Sequence, residues 1–301
     1  MKLTQTEQIE LLDQARKLVR EKKYLHAVQI YVRLIDSVPS SIHPYSELAS
    51  VFAELGQYDA GIGVLRNAER LFPDSMDIVI QLARLYMRSG SFDKALSCFK
   101  RYDGQKIPDV HFNLGLVYYF KNDLKRAEEQ FRLTVKINPD HPKINESLGE
   151  VLLKRGAHTE AVEWLKKGIT AHPGDAFNHH LLGITYTKLD NWKKAHSEFT
   201  TAVELDPGQV AHWEMCGKCL YQMHDYEVAS QHLHKALALS PQSIDALIYL
   251  GKISSAQGNR SRALKYYQQA LELDPKNIQA RALTSRIHQP EGKDIPSIDT
   301  E

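Results

Sequence analysis

The sequence predicts an all-α solenoid built from eight helix–turn–helix units of 34 residues. The first observation behind this prediction is a ladder of prolines that end apolar segments, at Pro39, Pro73, Pro139, Pro173, Pro207, Pro241 and Pro275. The second is a pair of positions that hold only Gly or Ala in every unit. A repeat of this length overrides the estimate of two globular domains that 301 residues would otherwise give.

The proline ladder sets the repeat frame. With the proline at position 32, the units begin at residues 8, 42, 76, 108, 142, 176, 210 and 244. The one irregular spacing, 66 residues from Pro73 to Pro139, is two units less two residues, which we place near Tyr102 to Gly104. We therefore expect one superhelical domain over residues 1–288.

Two positions within the unit predict where its helices touch. Position 8 reads Ala15, Ala49, Ala83, Gly115, Gly149, Gly183, Gly217 and Gly251, and position 20 reads Ala27, Gly61, Ala95, Ala127, Ala161, Ala195, Ala229 and Ala263. Side chains this small are needed where two helices approach closely. Apolar and small residues together fall at positions 4, 7, 8 and 11 and at 20, 24 and 27, the spacing of two amphipathic helices.

The turns and the C-terminal end complete the predicted elements. Gly, Asn or Asp falls at or next to position 15 in seven units, which predicts the turn between the two helices. Residues 276–288 predict a capping helix, because Arg281, Thr284 and Ser285 stand where another repeat would bury apolar groups. Residues 289–301 carry two prolines and a net charge of −3, and we expect a disordered tail there.

Composition and charge exclude several classes of function. With 38 Lys+Arg against 37 Asp+Glu the net charge is +1, which does not favour nucleic-acid binding. Three cysteines cannot form a disulfide framework and fit a reducing compartment. Because no apolar stretch reaches membrane-spanning length and the first residues lack an apolar core, we expect neither a membrane-spanning helix nor a signal peptide. We expect a cytoplasmic protein without membrane insertion.

The repeat resembles the tetratricopeptide repeat family. Repeat 6 carries the family's small and large residues at Leu182-Gly183, Tyr186, Ala195, Phe199, Ala202 and Pro207, and repeats 4 to 8 match best. The resemblance implies a right-handed superhelix in which the first helices line a concave groove, with positions 2, 5, 9, 12 and 13 commonly facing it. Such grooves hold a partner's peptide or helix.

Apolar and charged residues alternate along the implied groove. Repeat 4 places aromatic and aliphatic residues there, repeat 5 charged ones, and repeats 6 to 8 a mixture. The candidate groove residues are Arg84, Phe112, Asn113, Leu116, Phe120, Lys143, Glu146, Glu150, Phe177, His180, Ile184, Lys218, Tyr221, Ile248 and Lys252. One subset of the family grips a C-terminal carboxylate; only Asn113 and Lys143 match that pattern, so we do not expect such a clamp.

The cysteines Cys216 and Cys219 form a CxxC motif inside a predicted helix. A redox site would need a thiol at a helix N-terminus, which this position is not. His212, Cys216 and Cys219 share one helix face, so a metal site is an alternative. Both cysteines occupy positions that are aliphatic in most other repeats, which favours a structural role.

No pattern of catalytic residues appears, so we predict no enzyme, no cofactor and no bound metal. The sequence indicates a scaffold or adaptor for protein–protein interaction, and we expect Phe112→Ala with Phe177→Ala to weaken partner capture without loss of helix. A dedicated chaperone for one client protein, a thiol or metal site at the CxxC motif, and self-association through the N-terminal repeats remain open alternatives.

Overall fold

The computed structural model describes residues 3–102 and 104–288, which form helices joined by short turns. Within these ranges there are α-helices, one short 3-10 helix at Lys100–Tyr102 and no β-strand, so the predicted all-α class is confirmed. The α-helices are α1 Gln5–Arg20, α2 Tyr24–Ser37, α3 Ile42–Glu54, α4 Tyr58–Leu71, α5 Met76–Arg88, α6 Phe92–Cys98, α7 Pro108–Phe120, α8 Leu124–Ile137, α9 Ile144–Lys154, α10 His158–Ala171, α11 Ala176–Lys188, α12 Trp192–Leu205, α13 Val210–Gln222, α14 Tyr226–Leu239, α15 Ile244–Ala256, α16 Arg260–Leu273 and α17 Ile278–His288.

The structure divides into two compact units. The N-terminal unit spans Met1–Ile144 and holds repeats 1 to 4, and the C-terminal unit spans Asn145–Glu301 and holds repeats 5 to 8 with α17. Within each unit the two helices of a repeat pack against each other and against the next repeat. The single superhelical domain over residues 1–288 stays a prediction.

The turn inside each repeat adopts one backbone conformation. Position 15 has a positive φ in all eight repeats, at Lys22, Gly56, Gly90, Asn122, Gly156, Asp190, His224 and Gly258. This left-handed conformation ends the first helix and favours Gly, Asn or Asp. The residue after it caps the second helix in four repeats, where Asp123, Asn191, Asp225 and Asn259 accept a hydrogen bond from a backbone N–H.

The small residues at position 8 leave room for the large residue at position 24. A Cβ built on Gly183 would lie 2.7 Å from Phe199 Cε1, and one on Gly217 would lie 2.6 Å from Leu233 Cγ. The same overlap occurs at Gly115, Gly149 and Gly251. All eight residues at position 24 are at most 2% exposed. The predicted close approach of the two helices is confirmed.

A second recurring contact joins the two helices near the turn in repeats 3, 4 and 6. Tyrosines at position 11 lie beneath cations at position 19, with Lys94, Arg126 and Lys194 at 5.9, 5.4 and 5.5 Å from the ring centroids of Tyr86, Tyr118 and Tyr186. Such cation–π contacts contribute about 0.5–1 kcal/mol each where they are exposed. They brace the helix pair on its solvent side.

Repeat 3 departs from the predicted pattern. Its second helix, α6, ends at Cys98 after seven residues and is followed by the 3-10 helix. The two missing residues of the repeat frame lie directly after that point. The shortened helix and the irregular repeat length therefore fall in the same part of repeat 3.

The C-terminal helix matches the predicted cap in part. Helix α17 begins at Ile278 rather than at residue 276, and it packs on α16 through Ala280, which is fully buried. Ile278 is 84% exposed. The predicted disordered tail, residues 289–301, lies outside the described residues.

Candidate binding surface on the first helices

The predicted groove residues lie on the first helix of each repeat or directly before it, and burial separates them into two sets. Twelve of the fifteen are exposed or half-buried: Arg84, Leu116, Phe120, Lys143, Glu146, Glu150, Phe177, His180, Ile184, Lys218, Tyr221 and Lys252. Phe112, Asn113 and Ile248 are buried. For these three the prediction of an exposed groove residue is wrong.

Phe112 belongs to the core of repeat 4. Its ring lies 5.6 Å from that of Phe131 and 4.5 Å from that of His141, and the side chain is only 6% exposed. His141 is held in place by Asp109, whose carboxylate lies 3.1 Å from its Nε2. Phe112 therefore fills the space between the two helices of its repeat.

Asn113 and Ile248 are turned inward for different reasons. The Asn113 amide donates a hydrogen bond to the backbone carbonyl of Asp109 at 2.7 Å, and the side chain is 2% exposed. Ile248 packs with Ala270 and Ala280 where repeat 8 meets α17. Neither residue is available to a carboxylate or a peptide.

His180 forms a ring stack with its neighbours. Its ring lies 5.3 Å from Phe199 and 4.8 Å from His212, and the Nδ1 atoms of His180 and His212 are 3.0 Å apart. Burial, and to a lesser extent His212, lowers the pKa of His180 to about 4. Burial also lowers the pKa of His212. Both rings are therefore neutral at neutral pH.

Two aromatic residues of the predicted set do face solvent. Phe120 is 57% exposed and makes an edge contact with Tyr119, and Phe177 is 48% exposed at the start of α11. In repeat 5, Glu150 pairs with Lys154 at 3.6 Å on the same helix. These side chains offer separate apolar and charged points on the surface.

The most closely knit group lies on α13 and α15 in the C-terminal unit. Lys252 Nζ is 4.5 Å and Lys218 Nζ is 5.9 Å from the ring centroid of Tyr249, and the Tyr221 ring is 5.6 Å from the same ring. All four side chains are half-buried. We call Lys218, Tyr221, Tyr249 and Lys252 the tyrosine–lysine cluster.

Burial and neighbouring charges shift the pKa values of two residues in this cluster. Burial lowers the pKa of Lys252, and the positive charge of Lys218 lowers it further, while Asp245 acts in the opposite direction. Burial, followed by the charge of Asp245, raises the pKa of Tyr249 to about 12. Two ammonium groups on one ring repel each other, so an anionic group placed between them would be attracted to both.

Sequence reasoning found three of the four cluster residues and missed Tyr249. It occupies position 6 of repeat 8, which is not one of the commonly groove-facing positions. A usable signal was present, because Tyr249 and Lys252 are three residues apart on one helix and therefore neighbours on its surface.

The CxxC motif is buried. Cys216 and Cys219 are both fully enclosed, and burial raises the pKa of each thiol to about 12. A reactive thiol needs a lowered pKa and some exposure, so the pair does not have the properties of a redox site. His212 stacks on His180 instead of joining the two cysteines.

Helix length and polarity bear on membranes. Within residues 3–102 and 104–288, no helix is both long and apolar enough to cross a lipid bilayer.

Family comparisons agree with the repeat frame. A model described as tetratricopeptide repeat matches residues 52–106 and 220–287, and a second model with the same description matches residues 112–176. These matches cover more than half of the chain and lie in both units.

Individual relatives are distant. The chain is 24% identical over 182 residues to the BBSome complex member BBS4 of Bos taurus, covering 60% of this chain and 35% of that protein. It is 22% identical over 220 residues to the DnaJ homolog subfamily C member 7 homolog of Schizosaccharomyces pombe, covering 62% and 46%. The chain thus spans less than half the length of these curated relatives.

A solved structure shares the fold. The crystal structure of the APC/C hetero-tetramer Cut9–Hcn1 matches with a TM-score of 0.65 at 15% identity, covering 93% of this chain and 55% of that one. At this identity the likeness concerns the arrangement of helices alone.

Proposed function

Because the chain belongs to the tetratricopeptide repeat family, we propose that it is a non-catalytic scaffold that binds an acidic segment of a partner protein on the first helices of its C-terminal unit. The observation that carries the proposal is the tyrosine–lysine cluster, where two half-buried ammonium groups share one aromatic ring. The contact of the two lysines with Tyr249 holds them in place before a partner arrives, which reduces the entropy cost of binding.

The chemistry of the cluster favours a carboxylate. A lysine donates charge-assisted hydrogen bonds to carboxylate oxygens, and the flanking Tyr221 and Tyr249 rings offer apolar area and hydroxyl groups to the rest of a peptide. Arg286 acts on the pKa of Tyr221 as a further positive charge, whereas Asp245 acts on the pKa of Tyr249 as a negative one. Glu214, one turn before Lys218 on α13, accepts a hydrogen bond from Ser243.

The exposed aromatic residues support an extended contact. Phe177 and the half-buried Ile184 lie on α11, two repeats before α15 in the same unit. They can accept apolar side chains of a peptide whose acidic residues lie on the lysines. BBS4 is named as a member of a multiprotein complex, which supports a role of this kind in an assembly.

Selection from a random peptide library, followed by affinity measurements on the selected peptides, tests the proposal. We expect peptides rich in Asp or Glu with an apolar residue nearby. The double variant Lys218→Met with Lys252→Met should bind them about tenfold more weakly or worse, because a hydrogen bond to a charged group contributes about 1.5–3 kcal/mol.

The matched control removes the same charge elsewhere. Lys235→Met with Lys265→Met changes two exposed lysines on the second helices α14 and α16, and its peptide affinity should equal that of the unaltered chain. Equal weakening of peptide binding in both double variants would show that net charge, and not the tyrosine–lysine cluster, causes the effect. Selection of apolar peptides without acidic residues would contradict the proposal and favour a chaperone that holds unfolded clients.

A further inference from the structure

Three potential metal ligands from three consecutive helices meet in the C-terminal unit. They are His196 on α12, Cys216 on α13 and His232 on α14, and one ligand atom from each lies within 4.8 Å of the other two. In the part of the chain that the structure describes, no other group of three or more His, Cys, Asp or Glu side chains converges in this way. This group shares no residue with the tyrosine–lysine cluster.

Each of the two histidines has a ring nitrogen that could bind an ion. His232 Nδ1 lies 2.9 Å from the backbone carbonyl of Val228, so Nδ1 carries the proton and Nε2 has a free lone pair. Metal-binding histidines are commonly oriented by this kind of outer hydrogen bond. His196 Nε2 is buried and has no hydrogen-bond partner, which is unfavourable for a polar atom unless something binds it.

Zinc binding at this site would release the Cys216 proton, because a cysteine coordinates the metal as the thiolate.

We propose that His196, Cys216 and His232 bind one zinc ion, with water as the fourth ligand. Two imidazole nitrogens and one thiolate are a donor set for zinc and not for magnesium or calcium, which prefer oxygen. Zn–N bonds of about 2.0–2.1 Å and a Zn–S bond of about 2.3 Å place tetrahedral ligand atoms about 3.3–3.6 Å apart. Both histidines are half-buried, so small side-chain rotations can close the remaining distance.

Such an ion would fasten repeat 6 to repeat 7. His196 lies on the second helix of repeat 6, whereas Cys216 and His232 lie on the two helices of repeat 7. Binding to the folded chain alone raises its stability in proportion to the logarithm of the zinc concentration.

Zinc titration of the chelator-treated full chain against a chromophoric chelator tests the proposal, with cobalt(II) as a spectroscopic substitute. We expect one tight equivalent and a thiolate-to-cobalt charge-transfer band. Loss of an outer-shell partner alone costs about 10–100-fold in metal affinity, so Cys216→Ala and His232→Gln should each cost about 100-fold or more. Because Cys216 is buried, the half-buried His232 keeps the test valid if Cys216→Ala folds poorly.

Two control variants lie next to the proposed ligands. Cys219→Ala removes the other buried thiol of the motif, and His234→Ala removes an exposed histidine two residues from His232 on another face of α14. Both should keep full affinity and the cobalt band. Absence of a tight equivalent, absence of the thiolate band, or equal affinity in His232→Gln and the unaltered chain would overturn the proposal.

Discussion

Repeats 4 and 6 each place the ring of position 5 against the ring of position 24 and against a third ring, but they use different residues. In repeat 4, Phe112 lies against Phe131 on the second helix and against His141. In repeat 6, His180 occupies the same position 5, and it lies against Phe199 on the second helix and against His212. The repeat therefore fixes the contact between positions 5 and 24, and the residue at position 5 decides whether that pair is apolar, as in Phe112 with Phe131, or titratable, as in His180 with Phe199.

The first helices of repeat 4 and of repeats 7 and 8 also differ in which side chains they leave accessible to a partner. The ring of Phe112 is nearly enclosed, and beside it Asn113 is turned into the core, so repeat 4 offers only its later residues, such as Phe120. In repeats 7 and 8 position 9 holds Lys218 and Lys252, which stay half-buried around Tyr249. Position in the repeat does not by itself place a side chain in the groove.

Truncation of Phe112 in repeat 4 should have the largest effect on stability. We expect Phe112→Ala to lower the free energy of unfolding by about 3–5 kcal/mol, because it leaves a cavity beside Phe131 and His141. Phe177→Ala should change stability by less than about 0.5 kcal/mol, because Phe177 is 48% exposed. Urea unfolding of the two single variants checks both values.

This result would replace the expectation from the sequence that Phe112→Ala with Phe177→Ala leaves the helices intact. Equal, small losses of stability in the two single variants would contradict the placement of Phe112 in the core.

Protonation of His180 in repeat 6 should have a smaller effect on stability, and that effect depends on pH. Burial lowers the pKa of His180 to about 4 in the folded chain, from the value of 6.5 that an exposed histidine has. Between these values the unfolded chain binds more protons, so the free energy of unfolding falls as the pH drops from about 6.5 to about 4. Urea unfolding at several pH values in this window measures the fall.

The variant His180→Phe gives repeat 6 the ring that repeat 4 uses. We expect a shallower fall of stability with acid in this variant, and not its complete loss, because burial also lowers the pKa of His196, His212 and His234. The same pH dependence in His180→Phe and in the unaltered chain would show that His180 does not contribute.

The sequence predicted the repeat frame closely because its signals are local. Six first helices begin at the residues that the proline ladder indicates, since a proline stop and a glycine turn act on their immediate neighbours. Lys22 and His224 show the limit of this reasoning. They adopt the same left-handed turn without being turn residues, because the packed helices on either side determine the backbone there.

Side-chain burial and the two clusters could be predicted only in part. Lys218 and Lys252 follow from the repeat positions, but Tyr249 joins them through packing between repeats. The sequence suggested His212, Cys216 and Cys219 as metal ligands because they share one helix face. The converging set instead draws His196 and His232 from the two neighbouring helices, a tertiary arrangement that spacing along one helix does not reveal.

The central claim is that partners bind at the tyrosine–lysine cluster, and lysine footprinting tests it most directly. The chain would be reductively methylated with and without a selected acidic peptide, and the modified lysines would be located by mass spectrometry. We expect the peptide to protect Lys218 and Lys252 from methylation and to leave the methylation of Lys235 and Lys265 unchanged. Protection of Lys235 and Lys265 instead, or unchanged modification of Lys218 and Lys252 at saturating peptide, would contradict it.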